Sequence, residues 1–587
     1  MKPLLRLKPY LLRYKRTLLW GVVTVIVSNL FTVVQPMFLG KAIDELKAGM
    51  DAHVVVGSDL LRYALIIVSF SLVAGVFTFL TRQTIIVISR HIEFDLRNDL
   101  LSHLQSLSYS YFQNTPTGDL MAHATNDISA VRNVVGPGIM YPTDTLLTFC
   151  MVLGLMLAKD WQLTLLALIP LPFASLIVYL LGKSIHKKSL DRQAQFSLLT
   201  TRAQENLSGI RVIKSYVRED YEINLFSKLS WDYLQKNLGL ARIQSLMWPL
   251  MFGIIGCSII ITLYTGGLQV IRGELSIGSL SAFLAYLVML IWPVIAFGWV
   301  INLLQQGAAS MERLSKIMDT TPDIRDSAET QTSIEKIEGR IEFRGVTFSH
   351  KQAMTPTLQD INLIIEKGTT VAVVGYTGSG KTTLVNLIPR LYDVTEGQLL
   401  IDGHDIKTIP LDVLRTSIGY VPQETFLFSD TLSENIGYGT DDGTAEHVQE
   451  AADISQITKD VLEFPKQFDT MIGERGITLS GGQKQRTSIA RALIRQPKIL
   501  ILDDSLSAVD TYTEEEILRR LRTFMKGRTS IIISHRISTV KEADLIVVLD
   551  RGQIVERGTH EELVGRGGIY ADLNEKQLLE RELEELS

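Results

Sequence analysis

Eight consecutive residues, Gly375-Tyr376-Thr377-Gly378-Ser379-Gly380-Lys381-Thr382, carry the densest chemical signal in the chain. Their spacing is GxxxxGK[ST]. The glycines let backbone N–H groups wrap a polyphosphate, Lys381 reaches the β/γ oxygens, and the Thr382 hydroxyl ligates Mg²⁺. Thr383 opens a helical stretch that runs through Ile388, and its N-terminus adds positive potential. Further on, the apolar run Ile499-Leu500-Ile501-Leu502 ends in Asp503-Asp504. A carboxylate at the tip of an apolar strand suits a Mg²⁺-holding Asp503. Between these two sites lies Leu479-Ser480-Gly481-Gly482-Gln483, followed by a basic helical stretch through Arg486 and Arg491. Ile531-Ile532-Ile533-Ser534-His535 puts a histidine at another strand end, and Gln423 follows Gly419-Tyr420-Val421-Pro422.

These residues need a scaffold of buried strands. Val371-Ala372-Val373-Val374 immediately precedes the phosphate loop and reads as one, with a helix after it. From Gly339 onward short β-like runs alternate with helical ones, the pattern of an α/β P-loop NTPase cassette. We place this domain at 338–574, after a polar linker at 319–337. The last segment, 575–587, holds five Glu against Lys576 and Arg581, with Leu578, Leu579, Leu583 and Leu586 at helical spacing. It reads as an acidic amphipathic helix packing on the cassette or a partner, or as a frayed acidic tail.

Residues 1–318 have another character. Charge-free runs occupy 17–40, 63–81, 161–182, 243–271 and 275–311, and a sixth, 133–158, is broken only by Asp144. A helix needs about 20 apolar residues to cross the hydrocarbon core. Six such runs predict an all-α membrane domain with two long cytoplasmic loops, 82–132 and 183–242. The 587 residues, 46% hydrophobic with net charge −5, look soluble only as a mean. Residues 1–318 carry 28 Lys+Arg against 19 Asp+Glu, and 319–587 carry 30 against 44. The length exceeds a single core, and two cysteines exclude a disulfide framework. The two cysteines, Cys150 and Cys257, fall within runs and read as inert apolar filler.

Lys and Arg crowd the N-terminus and the 183–242 loop, so both lie on the cytoplasmic side and, with six spans, so do both termini. Residues 3–16 mix Leu with Lys and Arg and suit a basic helix along the inner interface. The two loops read as membrane helices extended into water, turning back near Phe112 and near Tyr216. Pro36, Pro249 and Pro293 lie within runs and are candidates for kinks. Asp144 either contacts a cationic substrate from a wet cavity or pairs with a hydroxyl or amide of a neighbouring helix.

LSGGQ between a phosphate loop and an acid-ended strand resembles the ATP-binding cassette (ABC) family. With six preceding spans and long cytoplasmic extensions, the whole chain resembles an ABC exporter half-transporter. The resemblance implies two cassettes dimerised head to tail around two ATPs. Ser480, Gly481, Gly482 and Gln483 would then contact ATP held by the partner. Gln423 would sense Mg²⁺ and water, and His535 would contact the γ-phosphate. Ser507 and Asp510 match the loop that communicates across the dimer, and the tips near Phe112 and Tyr216 match the coupling helices. The expected cofactors are ATP and Mg²⁺.

The sequence departs from that family pattern twice. Asp504 stands where the family has glutamate, the general base. Its carboxylate retreats by about 1.5 Å, one C–C bond. A base out of reach of its proton is a poor base. With an intact LSGGQ, this combination resembles the degenerate-site subunit of bacterial heterodimeric multidrug exporters. His350 in Val346-Thr347-Phe348-Ser349-His350 takes the place of the adenine-stacking tyrosine. It either stacks on adenine or is an ordinary loop residue.

The expectation is an ATP-driven exporter of amphipathic drug-like or lipid-like molecules in the bacterial inner membrane, working beside a second half-transporter and membrane lipid. A homodimeric exporter with slow hydrolysis, or an ATP-gated regulatory or channel-like protein, is the alternative. The six spans exclude a soluble DNA-repair cassette, and no nucleic-acid partner is expected.

Overall fold

The computed structural model describes residues 2–53, 55–351, 355–473, 479–509 and 511–586. The chain forms two compact units: Met1–Leu104 with Gly118–Asp319, and Gln105–Thr117 with Thr320–Ser587.

The first unit is helical. Among the described residues, five helical stretches are long and apolar enough to cross a membrane: Lys15–Asp51, Gly57–Ser106, Thr117–Lys159, Glu219–Ile271 and Ile277–Met318. On Gly57–Thr81, Leu65, Leu72, Val76 and Phe79 are all more than half exposed. Apolar side chains turned outward along such a length are stable in lipid and costly in water. The remaining charge-free run, 161–182, is divided. Helix Trp161–Leu168 is parted from Leu171–Ser208 at Ile169-Pro170, where proline brings no N–H to continue the ladder. The side chains at 171, 174, 175, 178 and 179 lie outside the described residues.

Asp160 caps Trp161–Leu168 by accepting the Leu163 N–H at 2.8 Å, and it also accepts the Gln269 amide at 2.8 Å. Pro36 and Pro249 sit inside unbroken helices. Pro293 lies in the first turn of Ile291–Met318, just after the junction at Leu290, where a missing N–H costs little. The N-terminal helix Lys8–Arg13 is tied to Val87–Ser106: Tyr10 donates to Asp99 at 2.6 Å and Arg13 pairs with Asp95 at 2.7 Å.

One helix crossing is unusually close. A Cβ on Gly278 would lie 1.8 Å from the Gly40 carbonyl oxygen, and one on Gly40 would lie 2.5 Å from that of Gly278. Asp44, one turn beyond Gly40, accepts the Gly278 N–H and the Ser276 hydroxyl, each at 2.7 Å. A carboxylate there meets the positive end of Ile277–Met289.

Among the described residues, the second unit holds two sheets. The antiparallel one has order β2-β1-β4-β5, with β1 Ile341–Phe348, β2 Leu358–Ile365, β4 Glu396–Ile401 and β5 His404–Asp405. The larger has order β10-β9-β3-β8-β7-β6. Its members are β3 Thr370–Val374, β6 Ile418–Val421, β7 Ile499–Asp503, β8 Thr529–Ile533, β9 Leu545–Asp550 and β10 Gln553–Gly558. All pairings in it are parallel except β10 with β9. β7 and β8 are buried throughout, which explains their unbroken aliphatic sequences. Register pairs Val373 with Ile533 and Ile533 with Asp503, so β3, β8 and β7 end together. Short helix Tyr109–Asn114, from the loop near Phe112, belongs to this unit: Ser108 Oγ accepts the Ile324 N–H at 3.0 Å, and Tyr109 meets Tyr392 edge-on.

Candidate functional site

The common end of β3, β8 and β7 gathers the phosphate loop, Asp503-Asp504 and Ser534-His535 at one edge of a parallel sheet, where α/β folds bind ligands. Gly375 has φ 147° and its missing Cβ would lie 2.1 Å from the Leu549 carbonyl oxygen; Gly380 has φ 103° and caps the Lys381–Leu387 helix. Only glycine fits these positions. Tyr376, Thr377 and Gly378 are exposed at the tip of the loop, and Ser379 is buried beneath it.

Lys381 is buried, and its ammonium donates to the Gly375 and Tyr376 carbonyls, each at 2.9 Å. The lysine is thus folded back over its own loop. Burial lowers its pKa, against the pull of Asp503 and Asp504. Thr382 Oγ1 donates to Asp503 Oδ1 at 3.2 Å, and Thr383 is half-buried beside it. Burial lifts Asp503 to about 6, the Thr382 hydrogen bond opposing.

Among the described residues, two buried polar atoms here have no partner: Asp503 Oδ2 and Ser379 Oγ. Orphaned buried oxygens are costly unless a ligand satisfies them. One carboxylate and one hydroxyl facing a phosphate loop fit Mg²⁺, which takes few protein ligands and fills its shell with phosphate oxygens and water. Thr382 and Asp503 are the residues that would hold it.

Asp504 follows β7 at φ 46°, a region aspartate tolerates better than most residues. Its N–H donates to the Ile533 carbonyl at 2.9 Å, and its carbonyl accepts the Ser507 hydroxyl at 3.0 Å. His535 is exposed past β8, and Gln423 is exposed past β6, the neighbour of β7.

Ser480 starts the Gly481–Leu493 helix with a capping box: its hydroxyl accepts the Gln483 N–H, and Gln483 Oε1 accepts the Ser480 N–H. Gln483 also donates to Asp460 at 2.9 Å. Gly481 and Gly482 lie against Ala508: a Cβ on Gly482 would come within 3.0 Å of its carbonyl. The structure therefore joins the signature helix to the segment after Asp504 within one chain.

Gln485, not singled out from the sequence, makes that join. Its amide donates to Ser507 Oγ at 3.1 Å and accepts the Ala508 N–H at 2.9 Å. The only sequence signal was a second glutamine two residues past the signature. Asp510 lies outside the described residues.

His350 is half-buried and meets Phe348 and Tyr392 edge-on, with ring centroids 4.9 and 5.4 Å apart. It lines a cavity of about 510 Å³ with Ser110, Asp323 and Thr395; no phosphate-loop residue lines that cavity. Asp144 is half-buried in the other unit and accepts the Asn29 amide at 2.7 Å, with Thr148 donating to Asn29 in turn. Of the two sequence readings, the amide of a neighbouring helix is the contact present.

Residues 18–294 match the ABC transporter transmembrane region, and residues 358–507 match the ABC transporter domain. A probable multidrug resistance ABC transporter ATP-binding/permease protein, YheI, of Bacillus subtilis (strain 168) is 40% identical over 97% of this chain and 96% of its own. An ATP-dependent lipid A-core flippase of Syntrophus aciditrophicus (strain SB) is 39% identical, covering 89% and 87%. The multidrug resistance-like ATP-binding protein MdlA of Escherichia coli (strain K12) is 34% identical, covering 100% and 98%. Among solved structures, a bacterial Atm1-family ABC exporter with ATP bound superposes with TM-score 0.79 at 26% identity, covering 96% of this chain and 99% of that one.

Proposed function

The chain belongs to the ABC transporters as an exporter-type half-transporter and transport ATPase, and from that premise we propose that it is the weakly hydrolysing half of a heterodimeric exporter. Its phosphate loop holds Mg²⁺-ATP, and its Ser480-Gly481-Gly482-Gln483 completes the active site built on a partner that carries glutamate. The observation that carries this reading is the anchoring of Asp504. Its backbone is bound on one side to Ile533 and on the other to Ser507, so the chain cannot swing forward to recover the missing methylene.

In this reading Lys381 leaves the Gly375 and Tyr376 carbonyls for the β/γ oxygens. Thr382 and Asp503 would hold Mg²⁺, which would neutralise phosphate charge. Gln423 and His535 face the terminal phosphate from β6 and β8. His350 stacks on adenine, and Ser507 and Asp510 report across the dimer. ATP binding closes the cassettes, hydrolysis at the partner-based site reopens them, and the helices near Phe112 and Tyr216 transmit the motion. The cargo is amphipathic, drug-like or lipid-like, as the names of the relatives suggest. The protein sits in the bacterial inner membrane with both termini cytoplasmic.

The test is reconstitution. Purified alone, the chain should show little ATPase; mixed with a glutamate-bearing half-transporter, it should show drug- or lipid-stimulated ATPase and ATP-dependent transport into vesicles. Robust turnover by the lone chain would overturn the heterodimer.

A further inference from the structure

The C-terminal helix Ile569–Leu586 is built into the cassette at its start. Glu556 accepts the Ile569 N–H at 2.6 Å and the Tyr570 N–H at 3.2 Å. Tyr570 is fully buried and its hydroxyl meets His560 Nδ1 at 2.7 Å, while Ile569 and Leu573 pack on the core. The helix therefore leaves the core in a fixed direction, and that direction takes it past two nucleotide-site loops.

Asp572 accepts the hydroxyl of Tyr376 at 3.2 Å, at the tip of the phosphate loop, and is itself held by Lys576 at 2.8 Å. One and a half turns on, the Gln577 side chain grips the turn after β8 from both ends. Its Oε1 accepts the Ile537 N–H at 2.8 Å, and its Nε2 donates to the His535 carbonyl. These two bonds fix the peptide groups on either side of Arg536, and with them the direction in which the His535 ring leaves the backbone. Ser534 Oγ, accepting the Arg536 N–H at 3.0 Å, braces the same turn from within.

We propose that this helix is a positioning element of the nucleotide site, with Gln577 setting His535 and Asp572 setting the phosphate loop through Tyr376. Neither residue touches substrate. The proposal rests on the reading of His535 as the γ-phosphate contact, and the two attachments make different predictions. Gln577 acts on the group that sees only the third phosphate. Asp572 acts on the loop that wraps phosphates common to ATP and ADP.

The experiment measures Mg²⁺-ATP and Mg²⁺-ADP affinity of the purified full-length chain by displacement of a fluorescent ATP analogue. Gln577→Ala should weaken ATP about fivefold and leave ADP unchanged, the size expected for loss of the one His535 contact to the third phosphate. Asp572→Ala should weaken both nucleotides alike. His535→Ala is the reference and should move the ATP/ADP ratio at least as far as Gln577→Ala. Hydrogen exchange at Ile537 reports the clamp itself and should quicken in Gln577→Ala while the core strands stay protected. A ratio moved by His535→Ala but not by Gln577→Ala overturns the proposal while leaving the His535 reading intact. A ratio moved by neither overturns the His535 reading, and the role of Gln577 with it.

Discussion

In the reading proposed here, one methylene at Asp504 separates a working base from an idle one. Its amide and carbonyl are both committed, so side-chain length alone sets its reach. Asp504→Glu should raise hydrolysis at this chain's own site by about tenfold or more, read as single-turnover ATPase, because misplacement of a base by one bond carries penalties of that order. Gln485 fixes the other side of the same segment, and Gln485→Ala should slacken it without touching nucleotide. Charge tuning at the residue scale is also testable away from the site. On β1, Glu342 lies between Arg344 at 2.6 Å and Arg340 at 2.9 Å, and these guanidinium groups hold it down at about 2. A depressed acid stabilises the fold fully above its unfolded value, about 4.3, and the gain disappears as pH falls toward 2. The acid limb of cassette unfolding should therefore be shallower in Glu342→Gln, measured by urea midpoint across that window.

At the scale of elements, the Gly40–Gly278 crossing is the most demanding contact in the helical unit. Gly278→Leu would put a branched side chain where no Cβ fits. We expect loss of folded, detergent-stable protein, seen by size exclusion, whereas Asp44→Asn keeps an acceptor and should cost only a few degrees of melting temperature. Elements also mark the boundary of what the sequence reveals. The phosphate loop, the acid-ended β7 and the LSGGQ signature are legible because their pattern is local: a few adjacent residues carry it. The division of the 161–182 run at Pro170 and of the 275–311 run at Leu290 is not legible from charge-free length, because hydropathy counts side chains and not backbone hydrogen bonds. Contacts such as Asn29 with Asp144, Gln485 with Ala508 and Gln577 with Ile537 join residues far apart in the chain, and no spacing rule brings them together.

At the scale of the whole molecule, the proposal divides labour between two chains. In the assembled pair, replacing the partner's glutamate should stop net turnover, while Asp504→Ala should leave most of it, measured as steady-state ATPase under saturating substrate. Equal losses from the two changes would mean that both sites hydrolyse.

The tip near Tyr216 bears on the supply of the protein in the cell. Tyr216 is 74% exposed and Val217 81%, and Trp231 on the following helix is 61% exposed. Apolar surface of that kind recruits chaperones and invites aggregation when nothing covers it. If the proposed heterodimer holds, subunits made in excess of their partner should therefore be short-lived, so balanced synthesis, as from one transcript, would set how much transporter the membrane holds.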